Sequence, residues 1–195
     1  MFIIGNQGVG KSTLAKVISV EAKGLARLRA YFFQVKGVDR NTAGIIPLDL
    51  CSKIFGKVTI YDFAGHREYY AGHGAVLHNS LAGSPSIILL VVDMRDTDER
   101  FRENLQYWLE FVNIHSSDTS KTHLVIVGSH ADQCKRHNEK IELIKTTAKS
   151  LNLSGLTLKG TITLDCRFAE SASIRKLRSL PVSYTHLTLP TIYSV

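Results

Sequence analysis

The chain has 195 residues, 44% of them hydrophobic and 21% charged, and 24 Lys and Arg against 17 Asp and Glu give a net charge of +7, which fits one globular domain. Its longest uncharged apolar run, Ile87 to Val92, falls far short of the roughly 20 residues that a membrane-crossing helix needs, and no basic segment of a secretory leader precedes Met1 to Ile4. The basic residues are scattered without interleaved aromatics, so they read as solvated helix faces and no nucleic-acid groove is expected.

The three cysteines, Cys51, Cys134 and Cys166, are odd in number and show no CxxC spacing, which favours a reducing compartment and a cytoplasmic location. His130, Cys134 and His137 offer nitrogen and sulfur donors close in sequence, but a closed metal site needs a fourth ligand and none is at hand.

Along the chain, strand-like and helix-like periods alternate, which predicts an α/β fold with a mostly parallel sheet and helices on both faces. The first strand, Met1 to Ile4, leads into Gly5, Asn6, Gln7, Gly8, Val9, Gly10, Lys11 and Ser12, followed by Thr13. This run fits GxxxxGK[ST], the phosphate-binding P-loop, in its required place between a strand and a helix, here a helix expected to reach about Lys23. The glycines let backbone N–H groups curl around phosphates, Lys11 reaches the β and γ oxygens, and Ser12 can ligate Mg²⁺. Thr42, between that helix and the next strand, can complete the Mg²⁺ shell; the alternative is a loop threonine bonded to its own backbone.

Strands are expected at Leu48 to Phe55 and Lys57 to Asp62, paired across the single Gly56 as an antiparallel edge hairpin. The second ends in Asp62-Phe63-Ala64-Gly65, 50 residues after Ser12. Asp62 is placed to hold Mg²⁺ through water, and the Gly65 N–H is free to meet a γ-phosphate. Gly72 and Gly74 predict a segment that orders only when that phosphate is bound.

Next come a buried strand, Ser86 to Val92, and an amphipathic helix, Asp98 to Ile114, whose Phe101, Leu105, Leu109 and Val112 share one face. The strand His123 to Gly128 then presents Ser129, His130, Ala131 and Asp132. A carboxylate there can accept both N1–H and N2–H of guanine, which adenine cannot match; the alternative is an N-cap for the following helix. That helix, His137 to Asn152, places Ile141, Ile144, Ala148 and Leu151 on one face. A last strand, Thr161 to Leu164, leads to Asp165, Cys166 and Arg167, whose backbone is in position to close over the base.

Pro181 to Val195 carries no charged residue and follows neither period. Its segment Val182 to Thr191 resembles a translated sequencing adapter, so the domain is expected to span residues 1–180, with an artefactual tail at 181–195. The first strand is short, so a piece of a longer protein is expected.

Together these motifs resemble those of Ras-like GTPases, and Thr42-Ala43-Gly44-Ile45, the Asp62-Phe63-Ala64-Gly65 run followed by Glu68-Tyr69-Tyr70, and Ser129-His130-Ala131-Asp132 most resemble the Roc (Ras of complex proteins) domain of ROCO proteins. The resemblance implies a Ras-like G domain that binds GTP and GDP with Mg²⁺ and hydrolyses GTP slowly. It implies a regulatory module of a larger signalling protein, beside a COR dimerisation module, repeats and in some relatives a kinase, with a homodimer as the assembly. His66 stands where many such enzymes carry the water-positioning glutamine, with Arg67 as the rival catalytic group. Gln7 replaces a common glycine and crowds the place of a partner's arginine finger. Two other readings stay open: a nucleotide-bound interaction module with negligible hydrolysis, and an ATP-dependent switch in which Asp132 is an incidental cap.

Overall fold

The computed structural model describes residues 1–19, 44–52, 56–81, 86–116, 122–151, 153, 156–166 and 171–185. Six strands form one sheet: β1 (Phe2–Ile4), β2 (Ile45–Ser52), β3 (Gly56–Phe63), β4 (Ser86–Asp93), β5 (Thr122–Ser129) and β6 (Thr157–Thr163), in the order β2-β3-β1-β4-β5-β6. All neighbours pair in parallel except β2 with β3, so the expected α/β sheet with one antiparallel edge pair is the one observed.

The two faces separate by residue parity, as a pleated strand requires. In β4, Ile87, Leu89 and Val91 face a core built with Leu14 and Val17 of helix α1 (Lys11–Ser19) and Ile174 and Leu177 of α5 (Ala172–Thr185). Ile88, Leu90 and Val92 face the opposite core, with Leu77 and Leu81 of α2 (Tyr70–Leu81), Phe101, Leu105 and Trp108 of α3 (Asp98–His115), and Ile144 and Ala148 of α4 (His137–Ser150). Short β1 is central and wholly buried, which fixes the start of the P-loop between two long strands.

Several boundaries shift. Gly56 is not a turn: it opens β3 and pairs with Ser52, because one residue cannot reverse a chain that needs at least two; the connection, residues 53–55, lies outside the described residues. β2 accordingly begins at Ile45, opposite Phe63. β6 starts at the exposed Thr157, ahead of its apolar centre. In α4, Ile144 and Ala148 are buried as expected, but Lys140 and Thr147 complete that face and Ile141 is only half-buried. Lys140 reaches its ammonium to the Asp96 carbonyl at 2.7 Å and Asp98 at 2.9 Å, and the same nitrogen stands 4.5 Å over the Phe101 ring, so a long cation takes a place in the core.

Gly72 and Gly74 sit inside α2 rather than in a loop. Glycine is a poor helix former, but a Cβ at Gly74 would lie 2.7 Å from His115 Nε2, so its absence lets α2 and α3 approach. Helix α5 runs past the expected limit at Leu180 to Thr185.

Candidate nucleotide site

The P-loop turns because its glycines take backbone conformations that side chains resist. Gly5, Gly8 and Gly10 have φ of 138°, 78° and 91°. Gly5 is also pressed against β4, where an added Cβ would lie 2.2 Å from the Val91 carbonyl oxygen. Gly5→Ala is therefore expected to cost about 2–4 kcal/mol of stability; a thermal melt with an unchanged midpoint would contradict this packing. Leu14 N–H then bonds to Gly10 O at 2.9 Å, which starts α1 immediately after the loop.

Lys11 opens that helix with only 6% exposure. Its ammonium donates to the Asn6 backbone carbonyl at 2.7 Å, which holds it across the mouth of the loop. Burial pushes its pKa down to about 8, against the opposing pull of Asp62. An ammonium held dry in this way is poised for a polyanion that restores the lost solvation.

Asp62 stands near the end of β3 at 2% exposure. Burial pushes its carboxyl up, while a hydrogen bond from Ser12 and the charges of Lys11 and Lys16 pull it down. Its Oδ1 has no hydrogen-bond partner among the described residues. A buried carboxylate oxygen without a donor, beside a hydroxyl, fits a hard divalent cation, which takes oxygen ligands. Ser12 and Asp62 are the described residues that would hold Mg²⁺. Thr42, the third expected ligand, lies outside the described residues.

Gly65 approaches the P-loop so closely that a Cβ there would lie 2.3 Å from Gln7 N and 2.5 Å from Gln7 Cα. His66 precedes a 3₁₀ turn, Arg67–Tyr69. His66 and Arg67 line an open cleft of about 560 Å³ with Asn6, Gln7, Gly65 and Arg100. The Arg67 charge also bears on the Tyr70 and Tyr107 hydroxyls, which places it on the α3 side of that cleft.

The base-side loop follows β5. Ser129 is buried, and its hydroxyl donates to the Val92 carbonyl at 3.1 Å. His130 takes a left-handed conformation, φ 53°, with its Nδ1 3.3 Å from Asp93 Oδ1; its Cε1 lies 3.9 Å from where a Gly10 Cβ would be. This ring therefore borders the P-loop at Gly10. Asp132 is exposed on the 3₁₀ turn Ala131–Gln133, and the N-cap of α4 is Arg136, so Asp132 does not cap that helix. Ala131 N–H bonds to Leu164 O and Leu164 N–H to Gly128 O, which brings half-buried Cys166 alongside. Its thiol is pushed up to about 12 by burial and by Asp165, so it stays protonated. Arg167 lies outside the described residues.

Sequence reading gave no site role to three groups, Asp93, Tyr70 and Trp108. Asp93 is clasped by Arg95, Nη2 to Oδ2 at 2.7 Å. Burial pushes the Asp93 carboxyl up, but bonds from Arg95 and the charge of His130 outweigh it and hold the group below its usual value. Tyr70 and Trp108 meet at Asn6, with Trp108 Nε1 donating to Asn6 Oδ1 at 2.7 Å. Among the described residues, no three His, Cys, Asp or Glu side chains form a group able to hold a metal, and no helix is long and apolar enough to cross a membrane.

Loops gathered at the carboxyl ends of a mostly parallel sheet, with a P-loop at its centre, define a Ras-like GTP-binding domain. The fold agrees with solved structures. A small GTPase of Trypanosoma brucei, Arl6 BBS3, solved with the nucleotide analogue GppNp, is 12% identical with a TM-score of 0.62, covering 94% of this chain and 96% of that one. A GTP-binding protein of Sulfolobus solfataricus, solved in complex with GDP, is 15% identical with a TM-score of 0.61, covering 96% and 52%. More specifically, residues 1–132 match the family described as "Ras of Complex, Roc, domain of DAPkinase", and the chain belongs to that family. The curated relative "Probable serine/threonine-protein kinase roco11" of Dictyostelium discoideum is 29% identical over 136 residues, 69% of this chain but 8% of the relative's length.

Proposed function

We propose that this domain binds GTP and GDP with Mg²⁺ and hydrolyses GTP slowly, as the regulatory module of a larger cytoplasmic ROCO-type protein that works beside COR, repeat or kinase modules and as a homodimer. The observation that carries the nucleotide reading is the buried Asp62 Oδ1 without a donor, set against Ser12 and Lys11 where the P-loop meets Gly65. When bound, Mg²⁺ would neutralise charge on the β and γ oxygens.

The chain's own groups account for the rest. Backbone N–H groups of the P-loop and the Lys11 ammonium bind the phosphates, and Gly65 N–H reports the third one. Asp132 accepts from the guanine edge, while Ser129 and His130 fix the loop that carries it. Water attacks the γ-phosphorus, and the bond to the β–γ bridging oxygen breaks. GDP leaves with that electron pair, and the water's proton ends on inorganic phosphate. His66 orients the water.

Intrinsic single-turnover hydrolysis is expected below about 10⁻² s⁻¹ at 25 °C, the order of GTPases that carry their arginine in cis. His66→Ala should slow it at least about tenfold with GTP affinity within twofold, since the contact strengthens in the transition state. If Arg67→Ala is the slow variant instead, the role passes to Arg67. No measurable change in either leaves a binding module with negligible turnover.

A further inference from the structure

The P-loop and the Asp62–Gly65 run are joined by a clasp that neither motif contains. Asn6 Oδ1 accepts from Trp108 Nε1 of α3 at 2.7 Å. The Tyr70 hydroxyl, at the start of α2, lies 3.1 Å from the Gly65 carbonyl and 3.3 Å from the same Asn6 oxygen. Tyr70 has one proton for two acceptors. The Gly65 carbonyl is the nearer and takes the larger share of that proton, while Asn6 Oδ1, with a second lone pair beside the indole bond, is the weaker acceptor.

The clasp is rigid because its rings are packed. Tyr70 meets Trp108 edge-on at 4.8 Å and stacks on Tyr107 at 5.5 Å, and Phe111 closes on Trp108 at 5.4 Å. Trp108 is 1% exposed. The Asn6 backbone carbonyl meanwhile accepts from Lys11, so one residue ties the phosphate-binding ammonium, the helix α3 and, through Tyr70, the peptide after Gly65.

Resting on the nucleotide reading above, we infer that Tyr70 and Trp108 are positioning residues: they hold Gly65 against the P-loop in the orientation that a γ-phosphate needs, and so set the preference for GTP over GDP. GDP does not reach Gly65, so loosening the clasp weakens GTP binding alone. The order of the effect is one hydrogen bond, about fivefold.

The test uses the whole 195-residue chain, titrated with GDP and with a non-hydrolysable GTP analogue in Mg²⁺. Tyr70→Phe keeps the ring and removes the hydroxyl, and Trp108→Phe keeps an aromatic ring and removes the N–H. Either is expected to lower the GTP to GDP affinity ratio about fivefold, with the GDP affinity held. Tyr107→Phe, which removes a hydroxyl from the same ring stack outside the clasp, should leave the ratio alone. Trp108 is the sole tryptophan, so its emission in wild type should differ between the two nucleotides, and Tyr70→Phe should shrink that difference. A wild type that binds both nucleotides, with both clasp variants at the wild-type ratio, overturns the clasp alone. A wild type that binds neither overturns the nucleotide reading and the clasp with it.

Discussion

Lys11→Ala is expected to cost at least about a hundredfold in affinity for GTP and GDP alike. Its ammonium is almost wholly buried and donates to a neutral carbonyl, Asn6 O at 2.7 Å. A phosphate brought there without it would be a desolvated anion lacking its counter-charge, a loss of about 3–5 kcal/mol, or roughly 10² to 10⁴ in binding. The same burial that pulls its pKa down to about 8 means the charge does not stabilise the nucleotide-free fold, so the melting temperature without nucleotide should not fall. Displacement of a fluorescent GDP, with a melt beside it, separates the two effects. Wild-type affinity in the variant would remove the P-loop assignment.

What was legible in the sequence was whatever local pattern dictates. The apolar run Ile87 to Val92 reads as a strand buried on both faces, and β4 is buried throughout. Phe101, Leu105, Leu109 and Val112 mark the face that α3 does bury. The P-loop glycines declare themselves because only glycine accepts their φ values. What stayed hidden depends on contacts distant in the chain. Gly72 and Gly74 argue locally against α2, and the reason for Gly74 is His115 on another helix. Likewise Asn6 is an unremarked position of the motif until Trp108, 102 residues on, donates to it. A lysine on the apolar face of α4 is illegible until Asp96 and Asp98 come within reach.

Asp132→Asn is expected to reverse base choice. A carboxylate accepts twice, which suits guanine's N1–H and N2–H, and a site built on such a pair rejects an analogue lacking it by about 10⁴ to 10⁵, so wild type should take GTP far ahead of ATP. The amide keeps one acceptor and gains one donor. Guanine's amino group would then face an N–H, whereas the C2 oxygen of xanthine would accept from it. GDP affinity should fall at least about a hundredfold while xanthosine diphosphate gains. The fold should hardly notice: Asp132 is exposed, α4 is capped elsewhere at Arg136, and the loop is anchored through Ser129 to Val92 and His130 to Asp93. Competitive titration of the two diphosphates against both proteins gives the answer. Equal affinities for GTP and ATP in wild type, or unchanged affinities for both diphosphates in the variant, would show that the loop after β5 does not read the base.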